Sequence, residues 1–391
     1  MRFKRFVNAV AVRLMKVERR LDPYFRDAFD KLVRPPLETA VQWLMRRRLP
    51  SSGLALAEER DLPGEAEATA SIIELMTAFL RGTYRPGEAQ RAGNTKTYGI
   101  VRGEFTVLPD LPGHLRAGVF AEPRSYPAWV RFAGPGPLAP PDIDDNGVLS
   151  IGIKLMNVEG PKLMDDEHGT QDFTGISCPT FTTPTVIENL KLQKEIGDNS
   201  GAWYFLNPRD SHYLDGLMQG LYARVHHSPL EVPYWSCVPY LFGEGRAMKY
   251  MVRPLTKRRT PIPRHPAANY LREAMARSLA SEPAQFEFCV QFQADADRMP
   301  IEHAGVAWRA QDAPFEPVAR LTLPVQRFDS PAQLAFADNL SYNPWHSVAE
   351  HRPLGNQNRA RKAMYQQLAS VRQEMNAHPH VEPTGGETFG E

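Results

Sequence analysis

One tyrosine near the carboxyl end of the chain lies between two arginines at spacings that an α-helix would place on one face. In the segment from Arg359 to Arg372, Tyr365 follows Arg361 by four residues and precedes Arg372 by seven, so the offsets approach whole helical turns. A phenol is a poor metal ligand at neutral pH, because its ordinary pKa is about 10. A guanidinium about 4 Å away would favour the phenolate by about 4 kcal/mol at an effective dielectric constant of about 20. The pattern indicates a tyrosinate able to hold a metal, but a solvated pair on a surface helix has the same spacing.

The elements that must position this helix resemble an antiparallel sheet or barrel. Short runs that alternate apolar and polar residues begin near residue 95 and are punctuated by Pro, Gly and Asp. These runs lie at 103–108, 128–132, 149–155, 247–252, 285–294 and 320–323. Helices are expected near 186–196, 265–279 and 358–375, which predicts an α+β fold for residues 51–375. The polar segment 376–391 is predicted to be a flexible tail.

Residues 1–50 predict a basic helical arm. Apolar residues recur there at helical spacing, at Phe3, Phe6, Val7, Val10, Leu14, Val17 and Leu21. A second helix is expected to follow Pro35 and Pro36 and to end at the Arg46–Arg48 cluster. Three interpretations remain open: a helix on a membrane surface, an arm that packs on another subunit, or a helix that packs on its own domain with a solvated basic face.

Composition excludes several function classes. The 391-residue chain has a formal net charge of +1, so it lacks the basic excess of a nucleic-acid-binding protein. Its three cysteines lie far apart, which argues against a disulfide framework and favours a reducing cytoplasm. The sequence contains no unbroken apolar run of about 18–20 residues. We therefore expect a cytoplasmic protein, with the arm as the place for any peripheral membrane contact.

Four further motifs precede the tyrosine segment in a fixed order. They are Arg91 to Asn94, Val130-Arg131-Phe132-Ala133, Asp145-Asn146-Gly147 to Lys154, and Gln171 through Gly175 to Pro179 and Phe181. Together the five motifs resemble the catalase family, specifically a divergent branch of catalase-related haem proteins. The resemblance covers roughly residues 85–375 and is clearest at 91–181 and 342–372.

The resemblance implies a catalase-like antiparallel β-barrel with surrounding helices and a C-terminal helix that carries the haem ligand. It further implies that Tyr365 holds the iron of haem b, as tyrosine does in catalases, and that Arg361 pairs with its phenolate. By the same resemblance, Arg91, Arg131 and Arg372 would bind the haem propionates, because a guanidinium can meet a carboxylate through two hydrogen bonds. The residues expected to contact the haem in addition to Tyr365 are Arg91, Arg131, Arg372 and Phe181.

The sequence departs from the family pattern on the distal side of the expected haem. Where a working catalase has His, Ser and Asn, this chain has Asn94, Ala133 and Ile176. An ungapped count back from Phe105 would place Thr95 instead of Asn94 at the His position. Neither residue titrates near neutral pH. A positioned acid or base contributes about 10²- to 10⁴-fold to a reaction rate, so we expect slow hydrogen peroxide turnover.

We therefore expect a haem enzyme that acts on organic hydroperoxides, of fatty acids above all. The catalase family that the chain resembles includes the allene oxide synthases, which act on fatty-acid hydroperoxides. Isomerase, lyase, peroxidase and peroxygenase reactions all remain open. The expected catalytic residues are Asn94, Thr95, Ile176 and Arg361. Two alternatives remain, namely a weak hydrogen peroxide catalase or peroxidase and a non-catalytic protein that binds or senses haem. The expected partners are the hydroperoxide or another small-molecule substrate, of which a lipid is one candidate, and a second copy of the chain.

Overall fold

The computed structural model describes residues 1–134, 136–145 and 147–389. Asn146 of the third motif and the last two residues of the expected tail lie outside this range. The strands are β1 (Thr97–Val107), β2 (Ser125–Ala133), β3 (Ser150–Leu155), β4 (Gln171–Ile176), β5 (Tyr234–Trp235), β6 (Tyr240–Leu241), β7 (Ala247–Pro254), β8 (Ala284–Phe292) and β9 (Glu316–Leu323). The helices are α1 (Arg2–Ala28), α2 (Arg34–Arg48), α3 (Glu65–Thr83), α4 (Val186–Gly197), α5 (Gly201–Leu206), α6 (Tyr213–Tyr222), α7 (Tyr270–Leu279), α8 (Pro331–Asn339) and α9 (Asn356–Met375).

Within the described residues, eight of the strands close into an antiparallel barrel. Their order is β5-β4-β3-β2-β1-β9-β8-β7, and pairing between β5 and β7 completes the ring while β6 pairs with β7 outside it. Closure removes the exposed strand edges that an open sheet would leave. The α+β fold with an antiparallel barrel is thereby confirmed, and every predicted run overlaps a strand. The sequence did not predict β4, the two-residue strands β5 and β6, or the helices α3, α5, α6 and α8.

The barrel interior is a packed aromatic core. Phe105, Phe173 and Phe288 lie ring against ring, with centroids between 4.9 and 6.1 Å apart. Side chains alternate along each strand, so residues next to these core positions face the outside of the barrel. Arg131, Gly152 and Thr174 pair directly across β2, β3 and β4 and share this outer face. The helices α3, α4 and α9 pack on one another, and Arg361 of α9 donates to Thr174 on this outer face.

A glycine fixes where α9 begins. Gly355 precedes the helix with φ of 85°, in the left-handed region that favours glycine. A Cβ atom there would lie 2.6 Å from the carbonyl oxygen of Ile301, so no other residue fits without movement of the backbone. The apolar side chains Ala360 and Met364 pack against Ile72 of α3 and Val186 of α4. This packing determines which face of α9 looks toward the barrel.

The N-terminal arm packs on the rest of the chain through a charged face. Arg26 and Arg19 are buried and donate to the carbonyl oxygen of Ala223 at 2.8 and 3.1 Å, while Asp22 accepts from Val225 N at 2.8 Å. The arm was expected to be helical, and α1, a π-helical turn at Phe29–Val33 and α2 confirm this. Of the three open interpretations, the arm matches the helix that packs on its own domain. The face that packs is the charged one, whereas the solvated face was expected to be basic.

The tail folds back on the barrel. Trp129 Nε1 donates to Glu387 at 2.8 Å, and the ring of Phe389 lies 5.7 Å from that of Trp129. The flexibility of residues 376–391 stays a prediction. Among the described helices, none combines the length and the apolar character needed to span a bilayer.

Candidate functional site

A cavity of about 400 Å³ lies between the outer face of β2–β4 and the helices α3, α4 and α9. Its volume is within the range of small-molecule sites, about 300–1,000 Å³. It brings together most of the residues singled out from the sequence. Those in its lining are Arg91, Asn94, Arg131, Ile176, Phe181, Arg361, Tyr365 and Arg372.

The two residues that the helical spacing paired are in contact. Arg361 Nη2 donates to the phenolic oxygen of Tyr365 at 3.1 Å and to Thr174 Oγ1 at 2.7 Å, and its Nη1 donates to Asn358 at 2.9 Å. Burial lowers the pKa of Arg361, but the nearby phenols of Tyr365 and Tyr240 outweigh it and raise that pKa above its ordinary value. The guanidinium is therefore a fixed cation beside the Tyr365 oxygen.

Three further arginines from different elements line the same cavity and lie close to one another. Arg91 precedes β1 and donates to the carbonyl oxygens of Ala337 and Leu340. Arg131, on β2, donates to Thr97 Oγ1 and to the carbonyl oxygen of Asn94, both at 2.8 Å. Arg372, on α9, donates to the carbonyl oxygen of Asn339 at 3.1 Å. All these acceptors are uncharged, so they orient the guanidinium groups without neutralising them.

The charge of this arginine cluster, Arg91, Arg131 and Arg372, is poorly balanced. Burial lowers the pKa of all three, and repulsion from Arg91 lowers that of Arg131 and Arg372 further. The carboxylate that opposes them is that of Asp338, 3.9 Å from Arg91, and its side chain is 53% exposed. Several buried cations near one solvated anion form a site that attracts negatively charged groups.

The turn before β1 places Asn94 and Thr95 differently. Asn94 lines the cavity with φ of 50°, a left-handed conformation that asparagine tolerates better than most residues. Thr95 is buried beside the cavity, where its hydroxyl donates to the carbonyl oxygen of Arg91 at 2.7 Å. Ala133 is buried at the end of β2 and accepts a hydrogen bond from the hydroxyl of Ser150 at 3.1 Å. The structure therefore brings Asn94 and Ile176 into one cavity and leaves Thr95 and Ala133 outside its described lining.

Sequence reasoning missed several lining residues. Tyr342 lies over Gly152, where an added Cβ would be 2.9 Å from its ring. Cys237 lies between β5 and β6, a loop whose sequence gives no pattern, and burial raises the pKa of its thiol. Other missed residues are Met76, Val148, Ser150, Thr174, Leu192, Ile196 and Ser236. Only the glycine at position 152, inside a strand, was a signal that something approaches closely there.

The cavity has a restricted chemistry. In the part of its lining that the structure describes, none of the side chains is a histidine, a lysine or a carboxylate. Its ionisable groups are the four arginines, Tyr342, Tyr365 and Cys237, and burial raises the pKa of the Tyr342 phenol and the Cys237 thiol. The cavity can thus bind an anionic, largely apolar ligand, but its described lining offers no imidazole, amine or carboxylate to transfer a proton.

No protein-family model and no curated protein matches the sequence. Among solved structures, the chain is similar to a bacterial catalase, with 16% identity and a TM-score of 0.57 over 85% of this chain and 67% of that one. It is also similar to a fungal catalase, with 13% identity and a TM-score of 0.56 over 85% of this chain and 69% of that one. The eight-stranded antiparallel barrel of the described residues, with its surrounding helices, therefore has the catalase fold.

Proposed function

We propose that this chain binds haem b, with the Tyr365 phenolate as the iron ligand, and acts on organic hydroperoxides. The observation that carries the proposal is one cavity that holds both the Arg361–Tyr365 pair and the arginine cluster. A haem is a flat apolar macrocycle with two carboxylates and an iron, and it needs a ligand on one face. The cavity offers a partner for each of these parts.

Three details of the lining support the fit to haem. Within the described chain, the buried Nε atoms of Arg361 and Arg372 have no hydrogen-bond partner. An added Cβ at Gly93, which also lines the cavity, would meet nothing within 4 Å, so the space beside the Asn94 turn is open. The remaining wall includes apolar side chains such as Ile176 and Leu368. A planar ligand with carboxylates near Arg372 would use each of these features.

Some of the lining side chains would bind the haem, and others would orient its ligand. Arg361, anchored by Thr174 and Asn358, would hydrogen-bond the Tyr365 oxygen and fix its direction. The arginine cluster would pair with the two propionates and lose its mutual repulsion when they bind. When bound, haem would supply the cleavage of a peroxide O–O bond.

The substrate class follows from what surrounds the remaining space. Hydrogen peroxide needs a group that moves a proton between its oxygens, and the described lining holds no histidine or carboxylate. Asn94 can donate a hydrogen bond to a peroxide oxygen without protonating it. Ile176 and Phe181 give apolar surface on which the carbon chain of an organic hydroperoxide would be buried. A fatty-acid hydroperoxide satisfies both conditions.

The proposal is tested by presenting haem-loaded protein with hydrogen peroxide and with a fatty-acid hydroperoxide at matched concentrations. Peroxide loss and the ferric Soret band are followed together. We expect the fatty-acid hydroperoxide to be consumed at least about tenfold faster, because its reaction does not depend on the missing acid–base group. Faster consumption of hydrogen peroxide would contradict the substrate assignment. An unreactive ferric spectrum with both peroxides would contradict an enzymatic role and leave a haem-binding protein.

A further inference from the structure

The outward face of α1 is apolar although it is exposed to solvent. Six of its residues, spaced three or four apart, are between 42% and 87% exposed. This apolar stripe consists of Phe6, Val10, Leu14, Val17, Leu21 and Tyr24. An amphipathic helix on a globular protein normally buries this side and exposes its polar one. A helix of 27 residues is about 40 Å long, so the stripe is far larger than a scattered exposed side chain.

The orientation of α1 is fixed by its charged face. Arg19, Asp22 and Arg26 are at most 5% exposed. They form hydrogen bonds with the backbone around Ala223 and Val225. Turning the helix over would take these three groups out of their hydrogen bonds and leave the backbone groups unpaired. The apolar stripe therefore faces outward because the opposite face is held in place.

Cations follow one edge of the apolar stripe. At about 100° per residue, positions 2, 13 and 20 fall side by side along the helix, next to Phe6 and Tyr24. Arg2, Arg13 and Arg20 are exposed, and within the described parts of the chain none of them forms an ion pair. This row of free cations beside apolar and aromatic side chains is complementary to a surface that is both anionic and apolar.

The acidic residues of α1 do not cancel this charge. Asp22 is buried, Glu18 pairs with Arg19 at 2.9 Å, and Asp27 pairs with Arg259 at 2.6 Å. Their carboxylates are engaged with partners of the protein itself. The edge of the stripe that carries Arg2, Arg13 and Arg20 is thus positive.

We propose that the apolar stripe docks the protein on the surface of a membrane that contains anionic lipids. The stripe would enter the boundary between headgroups and acyl chains, and the arginine row would lie among the lipid phosphates. Each cation near such a surface strengthens binding about fivefold at ordinary ionic strength. A second copy of the chain fits less well, because antiparallel pairing of two stripes brings the two arginine rows together. The proposal does not depend on haem, since the arm contributes no residue to the described cavity lining.

The test is flotation of the full chain with vesicles of phosphatidylcholine alone or with about 30% phosphatidylserine. The test variant is Leu14→Glu/Leu21→Glu, at positions that are 64% and 54% exposed. The matched control, Val325→Glu/Val381→Glu, adds the same charge at positions that are 52% and 66% exposed and lie outside the arm. All four side chains are on the surface, so both variants should fold, and far-ultraviolet circular dichroism checks this.

We expect the wild type and the control to float with the anionic vesicles and to be released by high salt. The Leu14→Glu/Leu21→Glu variant should partition at least about tenfold more weakly, because two charges enter the apolar boundary. The proposal is overturned if the wild type stays unbound or if the test variant floats as well as the control. It is likewise overturned if the wild type is a dimer that ignores vesicles and becomes monomeric in the test variant.

Discussion

Replacing Arg372 with methionine should weaken haem binding while leaving the haem-free protein as stable as before or more stable. The side chain is 4% exposed and keeps a single described hydrogen bond, to the carbonyl oxygen of Asn339 at 3.1 Å. Burial and the neighbouring Arg91 and Arg131 lower its pKa, so the folded protein without a ligand holds this cation at a cost. Methionine fills similar space without charge.

The magnitudes follow from these contacts. Loss of one buried charge-assisted contact to a carboxylate costs about 2–5 kcal/mol, which is about 30- to 5,000-fold in dissociation constant. In the haem-free protein, the lost hydrogen bond to Asn339 costs about 1 kcal/mol. Relief from burying an uncompensated cation is worth at least as much. The free energy of unfolding of the haem-free protein should therefore stay the same or rise.

Arg359 offers a matched control on the same helix. It pairs with Glu65, Glu59 and Glu302 at 2.7, 2.8 and 3.1 Å and lies outside the described lining of the cavity that holds Tyr365. Arg359→Met removes the cation of the partly buried Glu65 and Glu302 and leaves Glu59 with Arg352 alone, so it should lower the free energy of unfolding by about 2 kcal/mol. The folded protein should still bind haem as tightly as the wild type.

Two measurements separate these variants. Urea unfolding of the haem-free proteins gives stability, and haem transfer to a competing apoprotein gives affinity. The reasoning is refuted if Arg372→Met binds haem as tightly as the wild type. It is also refuted if Arg372→Met destabilises the haem-free protein as much as Arg359→Met does.

Three further predictions concern the cavity and a buried ion cluster beside it. Asn94→His should raise hydrogen peroxide turnover at least about tenfold, short of the full acid–base effect because Ala133 has no hydroxyl to orient the imidazole. Lys154→Met should lower the free energy of unfolding by about 3–5 kcal/mol, because the buried Glu167 and Asp172 then have only His346 to balance two negative charges. His346→Gln should make unfolding less dependent on pH. Burial and Lys154 lower the His346 pKa, but hydrogen bonds to Asp166 and Asp172 outweigh them and raise it to about 9. Its stabilisation, about 3 kcal/mol, is complete below pH 6.5 and is lost as pH rises through about 9.

Each of these predictions has its own opposing result. Unchanged hydrogen peroxide turnover in Asn94→His would mean that this position does not face the peroxide. A Lys154→Met protein of wild-type stability in urea would mean that the buried carboxylates find other partners. An equal loss of stability between pH 6.5 and 9 in the wild type and His346→Gln would assign that loss to other groups.

The contact between Arg361 and Tyr365 could be predicted because the two residues are close in the sequence. Arg361 and Tyr365 lie one turn apart on α9, so the sequence spacing fixes their distance once the helix forms. The structure gives 3.1 Å between the guanidinium and the phenolic oxygen. Arg372 follows on the same helix, and its place in the same cavity also comes from helical geometry.

The approach of Arg91 and Arg131 to Arg372 could not be derived from spacing. Arg91 lies in a loop and Arg131 in β2, and their approach to Arg372 depends on closure of the barrel. Closure requires β5, Tyr234–Trp235, which pairs with both β4 and β7. Two residues are too few to give an alternating pattern. Resemblance to a family supplied Arg91 and Arg131, whereas composition and periodicity gave no indication of these two residues.

The arm was predicted as a helix, but its orientation was not. Apolar periodicity identifies the two faces of α1 without saying which one packs. The outcome depends on acceptors supplied by a distant segment, such as the carbonyl oxygen of Ala223, which receives hydrogen bonds from Arg19 and Arg26. Local sequence carries no information about those partners.

The central claim, that Tyr365 holds a haem iron, is tested most directly by haem titration of the Tyr365→Phe protein. Tyr342→Phe is the matched control, because Tyr342 lines the same cavity and its hydroxyl donates to the Trp129 carbonyl oxygen at 3.2 Å. We predict that the wild type and Tyr342→Phe bind one haem per chain with the ferric spectrum of a tyrosinate ligand. Tyr365→Phe should stay folded, lose that spectrum and bind haem far more weakly. Haem binding by Tyr365→Phe with unchanged affinity and spectrum would contradict the claim.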